Sequence, residues 1–187
     1  MGSREEIVAA AAKVMREQGY AHATTKVIAQ TAGYSEALLY KHFHDKTDLF
    51  LSVMGEELPA LGATLGELIA DPGRAPLRDN LARVARLGLA FYTEGFPIAV
   101  SVFSSRDLLR SHRERLGEHG PHVLLGAVAD YLRAERALGR IKADTDVEAA
   151  AALLLGACFH QAFLATFHER EPADLADRLA GTLLAAL

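Results

Sequence analysis

The sequence predicts an all-α fold, and three observations carry that expectation. Its 187 residues include 34 Ala and 28 Leu against 24 Val, Ile and Thr taken together, which favours helix over sheet. Apolar residues recur at helical spacing, beginning with Ile7, Ala10, Ala11, Val14 and Met15 along one stripe. Glycines and prolines fall between such runs, where they stop or start helices.

The first stripe predicts a helix from about Ser3 until Gly19 stops it. Thr24 and Thr25 offer cap hydroxyls to a short helix, Lys26 to Ala32, closed by Gly33. Ser35 caps a second short helix, Glu36 to His42, with Leu39 and Phe43 inward and Tyr40 and Lys41 outward. Two short helices around Gly33-Tyr34-Ser35 make a helix-turn-helix pattern. Asp45 caps a fourth helix carrying Leu49, Phe50, Val53 and Met54, with kinks expected at Pro59, Gly62 and Gly66 on the way to Ala70. Pro76, Pro97 and Pro121 each read as first-turn prolines, giving helices from Pro76 to Glu94, Pro97 to about Gly117 with a break near Arg106, and Pro121 to Leu138. Thr145 and Glu148 form a capping-box pattern before a long helix to about Phe167, and a last helix runs from Pro172 to Leu187.

Composition bounds the function. A single cysteine, Cys158, excludes an intrachain disulfide and makes the cytoplasm the expected compartment. The longest run without a polar side chain, Ala149 to Phe159, is 11 residues, so no membrane-spanning segment is expected. The net charge of −4 excludes a generally basic nucleic-acid coat, and residues 1–50 balance six Lys/Arg against six Asp/Glu. A local nucleic-acid site remains compatible with both numbers.

Catalytic and metal readings find no support. His42/His44, His119/His122 and His160/His168 are the close or same-face histidine pairs, and none has a third ligand at a zinc spacing. Ser104-Ser105 lacks a nucleophile elbow, and Cys158 lacks a basic histidine constellation. No catalytic residue, metal or cofactor is expected.

The segment Thr24-Thr25-Lys26-Val27-Ile28-Ala29-Gln30-Thr31-Ala32-Gly33-Tyr34-Ser35, followed by Leu39-Tyr40-Lys41-His42-Phe43-His44-Asp45-Lys46, resembles the DNA-binding segment of TetR/AcrR-type transcriptional repressors. The threonine pair, Ile-Ala, Gly-x-Ser turn, Leu-Tyr-x-His-Phe and following lysine stand at the family spacing. The resemblance implies a helix-turn-helix DNA-binding domain in residues 1–50, with the motif at about 24–43, and a ligand-binding and dimerisation domain in residues 51–187. It also implies a homodimeric repressor on an inverted-repeat operator in double-stranded DNA, released by a small apolar effector. A helix starting at Ser35 fits a major groove about 12 Å wide and would present Glu36, Ala37, Tyr40 and Lys41 to base edges. Thr25, Lys26, Tyr40, His42 and Lys46 stand where the family contacts phosphates. A rival reading is a helical binding module that kept the fold and lost DNA binding; Lys41, His42 and Lys46 argue against that loss.

The stretch Leu138-Gly139-Arg140-Ile141-Lys142 with the helix after it resembles the family's dimerising region. That helix is apolar on every side, and Ala150, Leu154, Ala157, Gln161 and Leu164 make one face suited to pairing with a second copy. Phe91, Tyr92, Phe96, Phe103, Cys158, His160 and Phe163 are the expected lining of an effector cavity, with ordinary core packing as the alternative for each.

Overall fold

A computed structural model describes residues 2–56, 61–103, 106–116, 122–167 and 174–187. Among these the chain forms ten helices and no strand: α1 Ser3–His22, α2 Thr25–Ala32, α3 Glu36–His42, α4 Lys46–Glu56, α5 Leu61–Ala70, α6 Leu77–Phe103, α7 Arg106–Leu116, α8 His122–Ala137, α9 Val147–Ala165 and α10 Leu175–Ala186. The starts expected at Pro121 and Pro172 lie outside the described residues.

Packing divides the chain differently from a cut after residue 50. One compact unit comprises Met1–Leu58 with Glu94–Gly117, and the other Pro59–Thr93 with Glu118–Leu187. In the first, Ile7, Val14 and Met15 of α1 share a core with Ile28, Leu39, Phe43 and Phe50, joined by Ile98 and Val102 from the end of α6. In the second, α8 lies against α5 and α9, and α10 against α9, around Leu65, Leu81, Tyr131, Leu132 and Leu155.

Helix α6 overrules the boundary expected between Glu94 and Pro97: it is one helix of 27 residues with Pro97 inside it. Proline removes one ladder hydrogen bond, and burial on both sides outweighs that loss, Leu89 at 4 % exposed before it and Ile98 at 0 % after it. Gly19 does not end α1; it kinks it at φ +75°, and the helical hydrogen bonding resumes to His22. The expected Thr145 cap is replaced by Asp146, whose carboxylate accepts from Ala149 N at 2.9 Å, while the Thr145 hydroxyl donates to the Leu187 carbonyl.

By length and mean hydropathy alone, α9 could cross a bilayer. Instead Val147, Ala150, Ala151, Leu154, Leu155, Cys158 and Ala162 are buried in the second unit, the pattern of a core helix. The main buried polarity of that unit surrounds Glu135, which is fully buried with Oε2 2.9 Å from Arg140 Nη1, while its Oε1 accepts from Gly73 N. Asn80 Nδ2 donates to Tyr131 Oη at 2.9 Å beside it, and burial pushes the Tyr131 phenol well up.

Candidate nucleic-acid interface

Local chemistry builds the helix-turn-helix. Thr24 Oγ1 accepts from Val27 N and Ser35 Oγ accepts from Leu38 N, each at 3.2 Å, so both short helices carry a side-chain N-cap. Gly33 takes φ +78°, and the amides of Gly33 and Tyr34 reach back to the carbonyls of Gln30 and Ala29. A residue with a Cβ resists that conformation, which is why glycine ends α2.

Burial then sorts the faces of α3. Leu39 and Phe43 are 0 % and 2 % exposed, whereas Ala37, Tyr40, Lys41 and His42 face solvent. Lys26 on α2 is also exposed, and Thr25 and Glu36 are half-buried. Glu36 Oε1 accepts from Thr25 Oγ1 at 2.5 Å, and Thr25 Oγ1 lies 3.3 Å from Tyr40 Oη.

Helix α1 holds this pair from behind. The Tyr34 hydroxyl donates to Glu6, which also pushes the phenol pKa up. Ser3 Oγ lies 3.0 Å from His42 Nε2, and the Arg4 guanidinium stacks over Phe43 at 5.3 Å while pairing with Glu56. Lys46, expected at a phosphate, sits half-buried: its Nζ donates to the Ala21 carbonyl at 3.3 Å and lies 4.2 Å from the Tyr20 ring centre. Burial lowers its pKa. Glu6, Ser3, Arg4 and Tyr20 carry no motif signal, although their helical register on α1 beside the motif was readable.

Residues 7–53 match the family "Bacterial regulatory proteins, tetR family", and residues 81–180 match "AefR-like transcriptional repressor, C-terminal domain". The chain belongs to the TetR family. It is a DNA-binding transcriptional repressor of a family without enzymatic activity. The chain is 30 % identical over 146 residues to the HTH-type transcriptional repressor AcnR of Corynebacterium diphtheriae, covering 78 % of this chain and 71 % of that one. Among solved structures, a TetR-family regulator of Mesorhizobium loti has a TM-score of 0.77 at 23 % identity, covering 98 % of this chain and 94 % of that one. FadR of Bacillus subtilis, solved in complex with stearoyl-CoA, has a TM-score of 0.68 at 21 % identity, covering 97 % and 95 %. These last two likenesses concern the fold.

The remaining predicted residues of this TetR-family chain are placed less as expected. Ala150 and Leu154 are 6 % and 2 % exposed in the core of their own unit, so neither has surface left for a second copy; Ala157, Gln161 and Leu164 are half-buried. The open apolar face of α9 instead holds Leu153, Phe159 and Phe163, and Phe167 just past its end is exposed as well. A helix apolar all round gives no periodicity from which to choose between those faces.

The seven expected cavity residues are divided between the two units. Phe96 and Phe103 belong to the first unit, where Phe103 is 69 % exposed. In the second unit Phe91 meets Tyr92 edge to face at 5.3 Å, and Cys158 is fully buried, while His160 and Phe163 point to solvent. Phe159, absent from the expected set, packs on Tyr92 at 5.5 Å, and burial, with Cys158 adding to it, raises the Tyr92 pKa. A groove of about 370 Å³ in this unit is lined by Lys142, Asp146, Leu153 and Leu187 among others, and by none of the seven.

Proposed function

We propose that the protein is a cytoplasmic homodimer that binds an inverted-repeat operator through α3 and is released by a small apolar effector. The observation that carries this reading is the sorting of α3, which exposes Ala37, Tyr40 and Lys41 while burying Leu39. Such a face suits base edges, with Lys26 and His42 toward the phosphates. Thr25 and Lys46 join them once their present partners are released. The DNA-contacting part lies within residues 1–50, and the effector and dimer functions within 51–187.

Two further observations support the parts. Leu153 on α9 and Phe167 just past its end are 69 % and 67 % exposed, apolar surface that a second copy would cover. Phe91, Tyr92 and Cys158 form an apolar group with one hydroxyl against which an effector chain could pack, and the acyl-CoA in FadR makes long-chain acyl thioesters the first effectors to try. Linkage then requires effector and operator to weaken each other's binding by the same factor.

A gel-shift titration on the DNA upstream of the protein's own gene tests the reading, repeated with stearoyl-CoA. A shifted complex whose log affinity falls linearly with log salt supports it. Absence of any shift, or a monomer by light scattering at micromolar concentration, overturns the DNA-binding or the dimeric part respectively.

A further inference from the structure

The hydroxyls expected to contact phosphate are already occupied inside the protein. The Thr25 hydroxyl carries one proton, and Glu36 Oε1 takes it at 2.5 Å. At 3.3 Å the Tyr40 hydroxyl is then the donor to Thr25, so the chain of donation runs from Tyr40 through Thr25 to Glu36. A phosphate oxygen only accepts hydrogen bonds, and while this chain holds neither hydroxyl has a proton to give it. Among the described residues Glu36 has no ion-pair partner, and its carboxylate is held by the Thr25 hydroxyl and the first turn of the helix that faces DNA. Glu36 ends the chain of donation, so moving its carboxylate frees the Thr25 proton, and the Thr25 hydroxyl, in turning outward, gives up the 3.3 Å contact with Tyr40 and frees that hydroxyl in turn.

We propose that Glu36 is the specificity-determining residue of this DNA reader, acting as an internal stand-in for phosphate that a cytosine displaces. The inference rests on the proposed DNA binding through α3. A carboxylate accepts and never donates, and in the major groove the cytosine edge offers the N4 amino donor without an adjacent acceptor. Adenine places N7 beside its amino group and guanine offers two acceptors, and both oppose a carboxylate. Where a half-site presents cytosine, Glu36 leaves Thr25 for the N4 amino group, and Thr25 and Tyr40 turn their protons to phosphates. On any other base Glu36 stays on Thr25 and the complex lacks those contacts. Base choice at one position thereby controls backbone contacts at two others.

The test is selection from a randomised duplex library by wild type, Glu36→Gln and Glu36→Ala, with the affinity of each for a mixed-sequence duplex. Wild type enriches cytosine at one position of each half-site. Glu36→Ala loses that preference and binds the mixed-sequence duplex about tenfold tighter, the scale of one base or phosphate contact. Glu36→Gln keeps an acceptor for Thr25, so it guards against a folding defect in the alanine variant, and it shifts the enriched base toward adenine, which glutamine reads through N6 and N7. Identical base profiles and identical mixed-sequence affinities for all three proteins, with a common sequence still enriched, overturn the role of Glu36 and leave the DNA-binding reading standing. If no protein enriches any sequence, the DNA-binding reading falls and this inference falls with it.

Discussion

Helices α2 and α3 have eight and seven residues, too few to persist alone in water, and the first unit ties them at almost every join by a hydrogen bond or ion contact with a definite direction. Thr24 and Ser35 cap them, Tyr34 is held by Glu6, and His42 by Ser3. The second unit's helices are all longer than α2 and α3, α9 having 19 residues, and its buried polarity gathers around Glu135. Directed bonds fix orientation, which a DNA reader needs, whereas apolar contact chiefly fixes volume, which tolerates variation.

Breaking the Glu135 cluster is the most damaging change expected in the second unit. Glu135→Ala removes the counter-charge of the Arg140 guanidinium, which keeps only the Ala75 carbonyl, and leaves the Gly73 amide without its acceptor, at a cost of about 3–5 kcal/mol. Urea unfolding followed by circular dichroism checks it. On the DNA-reading face, Lys41→Ala is expected to cost about 1–3 kcal/mol of duplex affinity and to relax the base preference at the position it reads, whereas Lys142→Ala, exposed in the second unit, changes neither.

Two matched cap variants sharpen the contrast. Ser35→Ala and Asp146→Ala each remove one side-chain N-cap and are each expected to lower stability by about 1 kcal/mol. Operator affinity should fall with Ser35→Ala alone, because only that cap sets the start of α3. A titration of both variants at equal fraction folded separates the effects.

The smallest expected effect is a pH slope in the first unit. The His112 ring packs edge to face on Phe50 at 5.3 Å, its Nδ1 is buried without a hydrogen bond, and burial lowers its pKa from 6.5. The unfolded chain therefore takes up this proton first as the pH falls. Stability from the neutral ring is complete above the unfolded-state value and is lost as pH drops toward the folded one. His112→Phe should flatten the loss of stability between about pH 7 and pH 5, measured by urea midpoints.

Legibility in the sequence follows the same contrast. The turn at Gly33, the cap at Ser35 and the inward pair Leu39 and Phe43 were readable because each depends on neighbours within a few residues. The Glu6 to Tyr34 and Lys46 to Ala21 contacts were not, since they join residues 28 and 25 apart and either side chain reads equally well as solvated. On α9 the inward face was unreadable because Leu153 and Leu154 are chemically identical, yet one is 69 % exposed and the other 2 %. Pro97 inside α6 was unreadable for the opposite reason: a strong local signal yields to burial of Leu89 and Ile98 on either side.

Cys158 gives the second unit a built-in clock. Its thiol is fully buried, with Sγ 3.6 Å from the Ala85 carbonyl, and a methyl group placed on Gly88 would come within 3.2 Å of it. A thiol reagent therefore reaches this sulfur only while α6 and α9 stand apart, so the labelling rate under native conditions counts those openings. A compound that binds only the closed form near Tyr92 slows the count by a factor of one plus its concentration over its dissociation constant. Candidate effectors can in this way be ranked on the unmodified chain by mass spectrometry, with no DNA in the tube.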